Sequence, residues 1–239
     1  LAIIQKQPSD FEPDTKADYS NTNFVLLGYI VEKITGKRYA DELKHRIIAK
    51  IGLTDTYYGG KINSANNEAY SYKFDNGWQL QPETDMSIPG AAGALVSTPA
   101  DLTKFIEALF GGKLISQKSL DQMKTMKDNF GMAMFIMPFY DKIGYGHNGG
   151  IDGFSSVLSY FPEDKLAISY ISNGVAYPMN DILLGVLKIY FNKPFQVPTF
   201  KTIITSSDQL DKYLGNYSTT QMPLKIVITK NNTTLVAQG

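Results

Sequence analysis

Phe154-Ser-Ser-Val-Leu-Ser-Tyr-Phe161, Pro162-Glu-Asp-Lys165 and Leu166-Ala-Ile-Ser-Tyr-Ile-Ser172 follow one another without a gap. The outer two are runs rich in β-branched and aromatic residues. The middle one is turn chemistry, opened by a proline whose ring fixes φ. Together they predict an antiparallel hairpin. The β texture extends upstream, with further strands predicted over 131–137 and 143–147. Downstream, over 178–191, Ile182, Leu183, Val186, Leu187 and Tyr190 fall on one side of a helix. Strands in series followed directly by a helix predict an α+β fold, an antiparallel sheet flanked by helices.

The first half of the chain reads as mainly helical. Phe24, Leu27, Ile30, Val31 and Ile34 recur at helical spacing over 23–35, with Asn21 or Thr22 as N-cap and Gly36 as stop. A second helix is predicted over 39–50, closed near Gly52. Residues 54–90 are rich in Tyr, Asn and Gly and predict long loops with short strands. Ordered loops of that length often carry function. Ser97-Thr-Pro-Ala-Asp101 opens a helix: Thr98 caps it, Pro99 suits its first position, and Asp101 suits its positive end. That helix ends at Gly111-Gly112, and another is predicted over 117–126. Residues 1–195 read as one domain portion. Pro194 and Pro198 mark a linker over 196–206, and residues 207–239 read as the start of a β-rich unit, with strands at 210–217 and 224–228. Both ends of the chain read as internal, without a signal peptide.

Composition narrows the functions. Lys+Arg and Asp+Glu are equal at 23 each, so no basic footprint for nucleic acid exists. There is no cysteine, which excludes disulfides, thiolate metal sites and a cysteine nucleophile in this chain. The two histidines, His45 and His147, lie far apart without paired metal-ligand spacing. His45 falls on a helix surface. The apolar stretches 24–31 and 182–187 are well short of the roughly 18 residues of a membrane helix.

Two short constellations could carry chemistry. In Asp18-Tyr-Ser-Asn21 a tyrosine and an amide stand two residues apart before a helix. A tyrosine acts as a base when cationic neighbours favour its ionised form, and an asparagine can bind a substrate amide. The structural alternative is a helix cap beside a packed tyrosine. In Gly146-His-Asn-Gly-Gly150, glycines allow close backbone approach and free N–H groups can hold an anion, beside a titratable imidazole. The alternative there is a turn or bulge with an incidental histidine. Gly144-Tyr-Gly146-His-Asn-Gly149, with Asp164 downstream, also matches the dinucleotide-binding glycine pattern. That pattern needs a helix opening at its last glycine, whereas residues 151–160 read as turn and strand.

Taken in order, five segments resemble one family. Phe11-Glu-Pro-Asp-Thr-Lys-Ala-Asp-Tyr-Ser-Asn21 and Leu27-Gly-Tyr-Ile-Val-Glu-Lys-Ile-Thr-Gly36 resemble the Tyr-x-Asn region and following helix of the class C beta-lactamases. Ile51-Gly-Leu-Thr-Asp-Thr56, Gly90-Ala-Ala-Gly-Ala-Leu-Val-Ser-Thr-Pro-Ala-Asp-Leu102 and Gly146-His-Asn-Gly-Gly-Ile-Asp-Gly-Phe154 resemble three later segments, the last being the His-x-Gly form of the third motif. The resemblance covers roughly residues 8–192 and extends to D-alanyl-D-alanine carboxypeptidases and esterases.

The resemblance implies a beta-lactamase/transpeptidase-like fold, incomplete at the N-terminus, and a serine hydrolase working through a covalent acyl-enzyme without a cofactor. Tyr19 would be the general base, or share that role with a lysine. Asn21 would bind the substrate amide carbonyl. His147 would stand for the motif's cationic lysine and Asn148 for its threonine or serine. Gly149 would line the substrate site, and the N–H of Gly150 would be one oxyanion donor. The substrate would be a beta-lactam, a D-amino-acid peptide or an ester, outside the cytoplasmic membrane. Asp14 stands where the family commonly has glycine, and Lys50 where proline is usual. None of the serines is followed three residues later by lysine, so the family's Ser-x-x-Lys nucleophile is expected outside this chain. A pseudoenzyme binding peptides or cell-wall fragments, or a purely structural protein, are the other readings.

Overall fold

A computed structural model describes residues 3–128, 130–198, 206–218 and 225–238. The chain divides into two compact units, Leu1–Pro194 and Phe195–Gly239. In the first, the order is α1 (Asn21–Thr35), α2 (Tyr39–Leu43), α3 (Ala49–Ile51), β1 (Tyr57–Tyr58), β2 (Tyr72–Phe74), β3 (Trp78–Leu80), β4 (Leu95–Val96), α4 (Pro99–Phe110), α5 (Gln117–Lys124), β5 (Phe135–Phe139), β6 (Lys142–Ile151), β7 (Phe154–Phe161), β8 (Leu166–Ser172), β9 (Gly174–Val175) and α6 (Met179–Tyr190).

The antiparallel sheet expected from the sequence is β5-β6-β7-β8, in chain order. Tyr145 faces Tyr160, and Phe161 faces Leu166 across the 162–165 turn. Alternation along the strands sends apolar side chains to both faces. On one, Tyr145 packs with Leu109, Leu120 and Met134 beneath α4 and α5. Tyr160 meets Phe110 with ring centroids 4.5 Å apart. On the other, Phe139, Phe161 and Leu187 form the core under α6. The sheet is therefore covered on both faces.

The N-terminal helices sit where their punctuation puts them, with two corrections. Asn21 is not the N-cap of α1 but its first residue; Ser20 holds the cap position. The reason is local: the Asn21 side chain is taken by Tyr19, whose hydroxyl donates to Asn21 Oδ1 at 3.2 Å. The predicted second helix is not regular, because a π-helical turn at Lys44–Ile48 separates α2 from α3. Such turns widen the helix by one residue per turn. Gly36 and Gly52 close the two stretches at φ 69° and 66°, as glycine readily does. Thr98 caps α4 by accepting from Asp101 N. Helix α1 is seated by Gly28, where a Cβ would come within 2.6 Å of Ala91 Cβ in the Gly90–Ala92 turn.

Residues 54–90 carry little regular structure and are held by carboxylates that accept main-chain N–H groups. Glu68 takes Asn63 N at 2.8 Å, Glu83 takes Ile62 N at 2.9 Å, and Asp85 takes Ser87 N at 2.9 Å. Asp152, from the sheet, takes Thr84 N at 3.1 Å and the Thr84 hydroxyl at 2.6 Å. Buried Asp101 takes Asp55 N and the Thr56 hydroxyl, each at 2.8 Å. Burial opposes its charge, but these hydrogen bonds outweigh that and hold its carboxyl below the usual range.

In the second unit, α7 (Ser207–Leu210) precedes a sheet ordered β10-β11-β12, with β10 at Gly215–Ser218, β11 at Lys225–Asn231 and β12 at Thr234–Gln238. The strand expected from 210 is corrected: Leu210 is buried at the end of a helical turn, and extended structure starts only at Gly215. Residues 199–205 of the expected linker, and Leu224, lie outside the described residues.

Two tests follow from this framework. Asp101→Ala should cost about 2 kcal/mol at neutral pH, the scale of hydrogen bonds to a buried charge. The folded carboxyl titrates below the ordinary 3.8, so its stabilisation is complete above that value and is lost as pH falls through the folded pKa. Urea unfolding at pH 7 and pH 3 should therefore show the variant's deficit shrinking in acid; an equal deficit at both would refute the role of the charge. At Gly146 an added Cβ would lie 1.9 Å from Leu158 O on the paired strand, whereas at Gly150 the nearest atom is 3.9 Å away. Thermal melts should place Gly146→Ala about 1–3 kcal/mol or more below wild type and Gly150→Ala within about 0.5 kcal/mol.

Candidate active site

The sheet brings the two constellations together along one edge. Strand β6 has ten residues and its neighbour β5 only five, and their register ends at Phe135 opposite Gly146. Residues 147–151 run on past β5, with no strand on that side among the described residues. The 140–141 turn closes on Phe139 facing Lys142. In an antiparallel pair such closing residues exchange hydrogen bonds, and alternate residues then point the same way. Asn148 and Gly150 therefore direct their main-chain groups toward the open edge. The expected strand at 143–147 is longer than its sequence pattern, and Gly146-His-Asn-Gly-Gly150 is strand rather than turn. Its last glycine is followed by β7, not by a helix.

The glycines of this segment differ in what they need. Gly146 is imposed by the approach of β7, since any side chain would strike main chain. A Cβ on Gly149 would come within 2.4 Å of the Ser156 hydroxyl, a movable side-chain atom. Gly150 is under no comparable packing demand. Beyond it the hairpin turns at Asp152, with φ 53°, and at Gly153, where a Cβ would come within 2.5–2.8 Å of the Tyr72 main chain. Gly153 N also donates to the buried Ser71 hydroxyl at 3.0 Å. The tip of the β6–β7 hairpin is thus locked to residues 71–72 and to Thr84.

Against this edge stand Tyr19 and Asn21, at the entrance to α1. Asp14, a few residues upstream, has φ 64°. That is the left-handed region, which glycine enters freely and aspartate tolerates better than most residues. Lys127 holds the turn by donating to the Asp14 carboxylate at 3.0 Å. The Tyr19 ring lies 6.0 Å from the His147 ring, centroid to centroid, and is 47% exposed. The Nδ1 atom of His147 lies 2.5 Å from its neighbour's carbonyl, Asn148 O. A carbonyl only accepts, so Nδ1 carries the proton and Nε2 is left for other partners. Tyr19 lies against His147 and Asn21 against Tyr19, and Asn148, Gly149 and Gly150 follow His147 along the same strand. One residue was missed: Phe135, whose ring is 4.6 Å from His147 and 6.2 Å from Tyr19. No spacing in the sequence marks it, because these contacts are made between separate elements.

His45 is exposed and far along the chain from this group. Among the described residues, no group of three or more His, Asp or Glu is placed to hold a metal ion, and no helix is long and apolar enough to cross a membrane. A cavity of about 370 Å³ lined by Tyr72, Trp78, Asn173 and Gly174 shares no residue with the Tyr19–His147 group.

Comparison with known proteins gives this edge a context. The beta-lactamase family model matches residues 1–187. Penicillin-binding protein 4* of Bacillus subtilis (strain 168) is 29% identical over 213 residues, covering 79% of this chain and 47% of that protein. Teichoic acid D-alanine hydrolase of Staphylococcus aureus (strain MRSA252) is 27% identical over 210 residues, covering 82% and 50%. The structure of D-amino acid amidase from Ochrobactrum anthropi SV3, complexed with L-phenylalanine amide, superposes with a TM-score of 0.66 at 31% identity, covering 76% of this chain and 59% of that one. The chain thus spans about half the length of the curated relatives it matches. With the match running through α1, the 54–90 segment, the four-stranded sheet and into α6, this chain belongs to the beta-lactamase family.

Proposed function

We propose that this chain is the later part of a serine hydrolase that acts by acyl transfer, with its Ser-x-x-Lys nucleophile on another part of the same polypeptide. The observation that carries the reading is the convergence of Tyr19, Asn21 and His147 on the open edge of β6, where Gly150 is glycine without a packing reason. A backbone free of side chain at that point is what close approach by a reacting carbonyl requires.

In this mechanism the serine hydroxyl attacks an amide, lactam or ester carbonyl, and its proton passes to Tyr19 acting with the lysine. The tetrahedral oxyanion lies between the N–H of Gly150 and that of the nucleophile; losing one such donor typically costs about 2.7–4 kcal/mol. Collapse breaks the bond to the leaving amine or alcohol, which takes the proton, and water then hydrolyses the acyl-enzyme. Asn21 binds the substrate amide carbonyl. His147, when protonated at both nitrogens, donates from Nε2 to the substrate's carboxylate end, with Asn148 beside it and Gly149 leaving room there. The named relatives favour D-alanyl esters, D-amino-acid amides and penicillins as the substrate class. Such substrates place the enzyme outside the cytoplasmic membrane. The second reading, a binding-only pseudoenzyme, rests on the lack of any Ser-x-x-Lys in these 239 residues.

Intact mass of the full-length polypeptide after incubation with a penicillin and with a fluorophosphonate separates the two. A covalent adduct is expected; its absence with both reagents favours binding alone. Tyr19→Phe should lower turnover by about 10²-fold or more, as loss of an acid–base group does, and unchanged hydrolysis would remove Tyr19 from the mechanism. His147→Ala should weaken binding of substrates with a free carboxylate more than of neutral esters. Equal effects on both would cancel its assignment.

A further inference from the structure

We propose that Phe135 is the positioning residue that fixes the plane of the His147 imidazole against Tyr19, an inference that rests on the hydrolase reading above. The ring stands at the end of the β5–β6 ladder, where β6 runs on without a partner on that side. Phe135 is the first residue of β5 and faces Gly146. Gly146 cannot carry a side chain, because β7 approaches too closely. The Phe135 ring therefore has nothing to pack on directly across the strand. It leans instead onto the next residue, with its centroid 4.6 Å from that of His147 at an interplanar angle of 39°. Its other ring neighbours are Tyr19 at 6.2 Å and Phe130 at 5.6 Å. It belongs to neither apolar core cluster of the sheet, so filling the core does not account for it.

Two different constraints are needed to hold a histidine ring. The hydrogen bond from Nδ1 to Asn148 O decides which nitrogen carries the proton. A single hydrogen bond still lets the ring tilt about its Cβ–Cγ bond. A flat neighbour removes that freedom, because aromatic rings at this separation favour defined tilted or offset arrangements. Leucine or methionine at 135 would fill similar space without a flat face. Because Phe135 touches Tyr19 as well, it also holds the distance between the two polar rings, and misplacement of reacting groups by about 1 Å can cost about 10²-fold in rate.

The test uses the full-length polypeptide labelled with ¹³C,¹⁵N-histidine, the His147 signals being assigned with His147→Gln. Wild type should show the Nδ1-protonated tautomer and a ring-current displacement of the His147 carbon-bound protons. Phe135→Leu and Phe135→Met should both lose that displacement and drift toward a tautomer mixture, with the His45 signals unmoved as a report of an intact fold. Phe135→Tyr, which keeps the ring, should restore the signature. In turnover of an ester or lactam, the Leu and Met variants should lose about 10- to 100-fold in kcat with KM within about twofold, and Tyr should rescue most of the loss. His147 signals that ignore the loss of the ring, or kcat that does so, overturn the proposal. If wild type turns over nothing, the hydrolase reading fails instead, and the spectra still decide whether Phe135 sets the imidazole.

Discussion

One strand outruns its neighbour, and the site depends on that mismatch. A β-strand presents hydrogen-bonding groups on both edges, and an uncovered edge invites pairing. Strand β6 is paired with β7 from Tyr145 to Ile151, yet β5 ends opposite Gly146 and leaves residues 147–151 open on one side. An extended amide chain can lie against that opening, and Tyr19 and Asn21 close in on it from the start of α1. Were β5 longer, those main-chain groups would be spent on a strand. The two-faced core under α4, α5 and α6 keeps the sheet rigid enough for such a gap to persist.

The glycines explain how the edge is shaped without a rule that covers them all. Gly146 and Gly153 are there because main chain comes too close, on β7 and on Tyr72 respectively. Gly150 has room and remains glycine, which directs attention to something outside the described chain. Asp14 shows the converse: the backbone takes a left-handed turn, and aspartate fills it without glycine's freedom.

Much of this was legible in the sequence. Turn chemistry at 162–165, the Thr98-Pro99 start and the glycine stops at 36 and 52 are local signals, and they placed the hairpin and the helices. The candidate site was legible as two motifs, Asp18-Tyr-Ser-Asn21 and Gly146-His-Asn-Gly-Gly150. Their meeting was not, because contact between residues more than a hundred positions apart is set by packing and not by spacing. Phe135 was invisible for the same reason: one aromatic residue in a strand carries no mark until its partner across the ladder is known to be glycine. The capping error at Asn21 came from a competing bond, its side chain being engaged by Tyr19. The strand expected from Leu210 failed because an apolar residue in a short run fits a buried helical turn equally well.

The 54–90 segment is fastened differently from the rest. Its order comes from a few carboxylates gripping single amides, at Asn63, Ile62, Ser87, Thr84 and Asp55, instead of from a repeating apolar stripe. Periodic packing constrains every third or fourth residue, whereas point fastenings constrain only the fastened ones. Apart from Ser71 and Tyr72, which hold the β6–β7 hairpin tip, exposed residues between them can change in size and polarity without disturbing the sheet. A lineage built on this plan can reshape that segment by small steps and leave the sheet beneath it unchanged.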